Sequence, residues 1–378
     1  MANIRRWSTR PIAVVCTILA MGGGAFSDRS LAADPDDTAR VIAGILPGAT
    51  ASGKAEGPWR AYAQEVSSFW AQNEKRIGHP LRQWACQEVE RTDQGTVFYP
   101  FSGPDLPWAY DLFPDADRYV LAALEKAEAS PRLESFSKEE LEGYMAAFRR
   151  AWRFYGTEGF FRTNDLVAQT QAKGTRLGIT GPLMAFAVRL GFEIEAVEPI
   201  VLDLNTSQLN LRDAEPAKDD TWDSVRLTLR KNGRRVLVDY VRMDLSDTSM
   251  RKAPGARRWL ERMAANPTIL KAASHHPQGP EFSIFRTSVV ENAPVVVQDE
   301  TGIDYAPLSQ AFAVRLYGKF TKPNAAFEQN LQRSLAAAYQ KTPGVKPLPF
   351  RLGYEKGAGS ALQVAVRTTS TARLKCGR

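Results

Sequence analysis

The 378-residue chain is 44% hydrophobic and 24% charged, which supplies enough apolar material for a buried core and excludes wholesale disorder. No run reaches the roughly 20 apolar residues of a membrane-spanning helix, so a multi-span membrane protein is excluded as well. The net charge of +7 falls to +4 once residues 1–33, with four arginines and one aspartate, are set aside; so mild a balance does not point to nucleic acid.

The first element is an address. Arg5, Arg6 and Arg10 precede an apolar run, Pro11 to Met21, too short to anchor stably. Ser30-Leu31-Ala32-Ala33 then offers small residues for cleavage after Ala32 or Ala33. This order is that of a secretory signal peptide over residues 1–33, and it predicts a soluble periplasmic or secreted protein, not an integral membrane protein. Val15 stands directly before Cys16 where a lipidated cysteine needs a small residue, and Arg5-Arg6 lacks the hydrophobic continuation of a twin-arginine signal. Two cysteines remain after cleavage, Cys86 and Cys376. An oxidising compartment permits a disulfide between them, and two separate thiols fit the sequence equally.

Residues 34–54 read as a flexible leader with one short helix, Asp36 to Leu46. A helix from Glu56 to Lys75 follows, with Trp59, Tyr62, Val66, Phe69 and Trp70 at helical spacing. Thr96 to Phe101 is rich in β-formers, and Ser102-Gly103-Pro104-Asp105 is a turn that opens a helix. A second strand covers Arg118 to Leu124. Ser137 and Glu140 form a capping box for a helix whose apolar face carries Leu141, Tyr144, Phe148, Trp152 and Tyr155. Pro182 to Leu190 reads as a short buried helix and Glu193 to Leu204 as a strand. Val225–Leu229 and Val236–Met243 flank Asn232-Gly233, the signature of a type I′ hairpin turn.

Later elements are a helix after Asn266-Pro267, a helix from Glu281 to Glu291, and a strand from Ala293 to Gln298. A long helix from Asn324 carries Phe327, Leu331, Leu335 and Tyr339, and Leu362 to Arg367 forms a last strand. These elements predict an α+β fold: a mixed, mainly antiparallel sheet with a central hairpin, packed by several amphipathic helices rather than doubly wound. A single globular domain spans 55–344, with room for two subdomains meeting near 190. A basic tail, 345–378, closes the chain, where bases such as Lys346, Arg351 and Arg367 suit an anionic envelope component or solvent.

Catalytic motifs are missing: there is no GxSxG elbow, HExxH, P-loop, GxGxxG or CxxC. Ser135-Phe136-Ser137-Lys138 matches SxxK in form, but Ser137 is already a helix cap. His79 and the adjacent His275-His276 make a poor metal set, so neither metal nor cofactor is expected. Three polar clusters remain. Tyr99, Ser102 and Asp105 share the strand-to-turn segment; Asp244 and Asp247 flank Ser246, as acid–base pair or helix cap; and Lys271, Ser274 and His275 fall on one face of the expected helix. Arg286 and the segment Gln298-Asp299-Glu300-Thr301-Gly302 extend the third. Candidate catalytic residues are Ser102, Asp105, Asp299 and Lys271. Candidate ligand-binding residues are Tyr99, Asp244, Asp247, Ser274, Arg286 and Gln298. A binding or accessory protein without catalysis is the leading expectation, with a small-molecule ligand or an envelope component as partner and no role for nucleic acid. The alternative is a hydrolase or transferase acting on an envelope polymer or small metabolite.

Phe98-Tyr99-Pro100-Phe101-Ser102-Gly103-Pro104-Asp105, Tyr119-Val120-Leu121 and Gln298-Asp299-Glu300-Thr301-Gly302-Ile303 resemble an uncharacterised family of exported bacterial proteins. Phe160-Phe161-Arg162-Thr163, Asp244-Leu245-Ser246-Asp247 and Lys271-Ala272-Ala273-Ser274 share the resemblance, which runs from about Trp70 to Tyr339. It implies export and a shared fold, and it implies no activity. His275-His276-Pro277-Gln278-Gly279-Pro280 departs from the more apolar segment the resemblance leads one to expect.

Overall fold

The computed structural model describes residues 34–45, 49–90, 95–158, 178–212, 222–323, 325–354 and 360–368. The expected signal peptide, Phe160–Thr163 and Cys376 lie outside the described residues. In the first part of the chain the helices are α1 (Pro35–Ile42), α2 (Ala49–Asn73), α3 (His79–Glu88), α4 (Leu106–Leu112), α5 (Lys138–Glu158) and α6 (Thr180–Arg189). Strands β1 (Thr96–Pro100) and β2 (Arg118–Ala123) flank α4. Then come β3 (Glu193–Asp203), β4 (Gln208–Leu211), β5 (Ser224–Lys231), β6 (Arg234–Arg242), α7 (Asp247–Lys252), α8 (Pro254–Ala264) and β7 (Thr268–Leu270). The last part holds α9 (Ser283–Asn292), β8 (Val295–Gln298), α10 (Tyr305–Ala311), β9 (Ala313–Gly318), α11 (Arg333–Lys341) and β10 (Ala361–Val366).

The ten strands form one mixed sheet in the order β4-β3-β5-β6-β2-β1-β7-β8-β10-β9. Antiparallel pairings outnumber parallel ones by five to four, and β5 and β6 form the expected hairpin. Asn232 and Gly233 at its turn both have positive φ, as a type I′ turn requires. The four parallel pairings are contiguous and give the sheet a five-stranded parallel centre, β6-β2-β1-β7-β8, which the sequence reading did not anticipate. Strand alternation sends Val97 and Tyr99 of β1 to one apolar core, with α1 to α6, and Phe98 to a second core, with α7 to α10. Helices therefore cover both faces of the parallel centre.

Several local readings hold and others are corrected. Ser137 Oγ accepts from Glu140 N at 3.2 Å while Glu140 Oε2 accepts from Ser137 N at 2.7 Å, a complete capping box. The helix expected after Asn266-Pro267 is instead strand β7. Its three residues are buried on both faces between β1 and β8, and a short apolar run of that kind has no periodicity to separate strand from helix. The leader carries α1, capped by Asp34, with Ala39, Val41 and Ile42 buried. The expected tail supplies β10, an inner strand between β8 and β9. Among the described residues, the strands on both sides of residue 190 belong to one sheet. The long helix expected from Asn324 is a 3₁₀ segment, Ala325–Asn330, followed by α11; Phe327 leaves helical geometry and Leu331 is exposed.

Gly318 ends β9 at φ +80°, and a Cβ added there would lie 1.9 Å from the Ser360 carbonyl oxygen. Gly318→Ala is expected to lower stability by about 1–3 kcal/mol, because strain in the backbone adds to the clash. Chemical denaturation measures the loss; an unchanged midpoint would show that the β9–β10 connection relaxes freely.

Candidate functional site

From β1 the chain builds the sheet in one direction, to β2 and then β6; from β7 it builds in the other, to β8. Strand order therefore reverses between β1 and β7. In open α/β sheets the carboxyl ends of the strands at such a reversal form the crevice where ligands sit. Asp105 follows β1, Lys271 follows β7 and Asp299 follows β8.

The alternation that turns Ile269 and Val297 toward the core of α1 to α6 turns Lys271 and Asp299 the same way, two residues on. Lys271 Nζ lies 2.5 Å from Asp105 Oδ2, and both side chains are 3% exposed. Tyr99 donates to the same oxygen at 3.0 Å and Tyr155 donates to Asp105 Oδ1 at 3.3 Å. The ring of Trp108, one turn into α4, lies 4.4 Å from Nζ. Asp105 stands at the N-cap of α4 without capping it, since its carboxyl turns inward to Lys271. Burial drives the Asp105 carboxyl upward from its ordinary pKa and the Lys271 ammonium downward, against their mutual attraction. Burial also raises the Tyr99 and Tyr155 phenols and the Asp299 carboxyl.

A strained loop follows. Ala272, Ser274 and His275 have φ of 51°, 51° and 61°, and Phe101, just past β1, has φ of 58°. Four of the seven described non-glycine residues with positive φ thus gather at the ends of these two neighbouring strands. Each costs on the order of 1–3 kcal/mol and persists where surrounding bonds over-determine it. Here Asp299 Oδ2 accepts from Ala272 N at 2.8 Å, and Thr301 Oγ1 accepts from Ala273 N at 2.7 Å. Asp299 Oδ1 accepts from both the amide and hydroxyl of Thr301. Tyr354 donates to the Ala272 carbonyl at 2.9 Å, and its hydroxyl meets Ser274 Oγ at 2.9 Å.

Of the sequence candidates, Tyr99, Asp105, Lys271 and Asp299 converge, with Ser274 at their margin. The others disperse. Ser102 Oγ donates to the Gly103 carbonyl within its turn. Asp244 receives Ser246 N and Ser249 Oγ ahead of α7. Asp247 receives Ser283 Oγ and Ile284 N, and so caps α9. Arg286 donates to the carbonyls of Pro277 and Gly279, and Gln298 bonds both ways with Ile303. The shared helix face of Lys271, Ser274 and His275 does not exist, since these residues form the strained loop. Tyr155, Trp108 and Tyr354 also belong to the site: in the sequence the first is part of an apolar stripe, and nothing marks the other two. Among the described residues no group of His, Cys, Asp and Glu side chains could hold a metal ion. Cys86 is disulfide-bonded, and its expected partner Cys376 lies outside the described residues.

His275 has a fixed tautomer. Gln278 Nε2 donates to the carbonyls of Glu300 and Gly302, which leaves its oxygen facing His275 Nδ1 at 3.1 Å. Nδ1 therefore carries the proton and Nε2 is an acceptor, buried and without a partner among the described residues. Comparison with known protein families, curated proteins and solved structures yields no match to this chain.

Two outcomes follow from this geometry. Lys271→Met strands a buried carboxylate and is expected to cost about 3–5 kcal/mol in urea denaturation. Adding Asp105→Asn, which removes the charge and keeps an acceptor for one of the two tyrosines, should restore part of that. No gain from the second change would show that lost packing against Trp108 dominates. Burial lowers the His275 pKa, opposed by Gln278 and by the charges of Asp299 and Asp304. The folded value lies below the unfolded value of about 6.5, so this contribution to stability is complete above that pH and is lost as the pH falls through the folded pKa. His275→Gln should flatten the fall in stability between pH 7.5 and 5; identical slopes for both proteins would refute the assignment.

Proposed function

We propose that the chain is an exported binding or accessory protein that holds a small polar ligand at the carboxyl ends of β1, β7 and β8. The observation that carries this reading is the convergence of Asp105, Lys271, Asp299 and a strained loop at the reversal of strand order. The buried pair anchors the strand ends beneath the loop. Half-buried Ser274 and Tyr354 form the rim; the Tyr354 proton goes to the Ala272 carbonyl and the Ser274 proton to Tyr354, so Ser274 Oγ presents an acceptor to a hydroxyl or amide donor on the ligand. Export is supported by the basic, apolar and small residues of positions 1–33 in their order, and by the disulfide at Cys86, which suits an oxidising compartment. Among the described residues no helix is long and apolar enough to cross a membrane.

Binding is favoured over hydrolysis or group transfer because two members of the expected Ser/Asp/Lys/Arg pocket are engaged elsewhere: Ser102 bonds within its turn, and Arg286, on α9, donates to the carbonyls of Pro277 and Gly279. A small ligand is favoured over an anionic polymer. Two bases expected to meet such a polymer already have partners within the chain: Lys346 pairs with Glu88 at the surface, and Arg367 donates to the carbonyls of Ala293 and Val290.

The test is an untargeted metabolite and glycan binding screen on the mature protein, repeated with Ser274→Ala and Tyr354→Phe. Loss of one ligand hydrogen bond should weaken retention about tenfold while the fold persists. Retention of the same compounds by all three proteins, or of none by any, overturns the reading.

A further inference from the structure

Lys271 Nζ and Asp105 Oδ2 lie 2.5 Å apart, and both side chains are 3% exposed. We propose that the folded protein joins them by an intramolecular amide bond between Lys271 Nζ and Asp105 Cγ. The inference is independent of the ligand reading.

The geometry supports it. Nζ lies 2.5 Å from Oδ2, so the amine is held against the carboxyl group that would acylate it, which supplies the proximity the reaction needs. In water an ammonium and a carboxylate do not condense, because hydration stabilises both charges. Burial removes that hydration and narrows the gap between the charged and the neutral pair, so that transfer of the proton from Nζ to Oδ2 brings a neutral amine against an un-ionised acid. The directions in which burial moves the two groups agree with this transfer.

The step balances without a further reagent. The Nζ lone pair adds to Cγ, and charge develops on Oδ1, where the Tyr155 hydroxyl donates. The Cγ–Oδ2 bond then breaks. Oδ2 departs as water, carrying the acid proton and one proton from Nζ, with the Tyr99 hydroxyl bonded to it during the exchange. Oδ1 remains as the amide oxygen. Tyr99, Tyr155 and Trp108 make the site dry, which opposes the return of water and hydrolysis.

Asp299 is the other acid near Lys271, and its oxygens already receive three donors, from Ala272 and Thr301. They hold it toward the loop, whereas Asp105 Oδ2 is in direct contact with Nζ. The proposed link ties the turn after β1 to the end of β7, residues 166 apart in sequence, across the line where strand order reverses. It would pin the two halves of the parallel centre together in a protein working outside the cell.

The experiment is intact mass measurement of the mature wild-type protein after disulfide reduction, with tandem mass spectrometry of a proteolytic digest. The expected mass is one water, about 18 Da, below that of the sequence, with the Asp105 and Lys271 peptides recovered as one branched species. Lys271→Arg and Asp105→Ala should show full mass. Asp105→Asn should form the same bond with loss of ammonia, about 17 Da. Full mass with linear Asp105 and Lys271 peptides in the wild type overturns the proposal, as does a water loss mapped to Asp299 or elsewhere. The wild-type digest decides even where a variant fails to fold, and its result does not depend on whether the ligand screen succeeds.

Discussion

The contact between Lys271 and Asp105 constrains the rest of the centre. Two opposite charges removed from water cost several kcal/mol each unless their attraction and further hydrogen bonds offset the loss. The surroundings supply those bonds: Tyr99 from β1 and Tyr155 from α5 reach the carboxyl, and Trp108 from α4 lies over the ammonium. Each comes from a different element, so β1, α4, α5 and β7 must all be in place for the pair to be tolerated. Such a network specifies one arrangement more strongly than it stabilises any.

The sheet explains why the pair is where it is. A parallel centre must be covered on both faces, and the two apolar cores do this. Continuing a buried strand by one or two residues keeps a side chain inside the protein. Lys271 and Asp299 are the first residues past β7 and β8, in step with the Leu270–Gln298 pairing that ends the ladder. They inherit the burial of the strands they follow. A polar residue at that point must find partners inside the protein, and Lys271 and Asp299 find them in Asp105, Ala272 and Thr301.

Local features were legible in the sequence wherever the signal was itself local. The Ser137 box, the Asn232-Gly233 turn and the Pro182–Leu190 helix each follow from a few neighbouring residues. The α+β class followed from the mixture of periods. The parallel centre was not legible, because β1, β2, β6, β7 and β8 are brought together by crossovers of many residues, and a short buried strand carries no alternation. For the same reason Asp105, Lys271 and Asp299 could be listed as candidates but not set apart from Asp244 or Asp247. Both kinds follow a strand and precede a turn, and only the sheet order shows which three end side by side.

The loop after β7 adds a second constraint of a different kind. Ala272, Ser274 and His275 adopt left-handed backbone without glycine, and nothing in their own chemistry favours it. The conformation is held from outside, by Asp299 and Thr301 past β8, by Tyr354, and by Gln278 gripping the Glu300 and Gly302 carbonyls. Asp299 therefore has two duties, to anchor this loop and to set the field at Lys271. The same carboxylate links a strained surface loop to a sealed interior pair. A change at the loop that altered the bonds to Asp299 would be felt at Lys271, although no loop side chain need touch it.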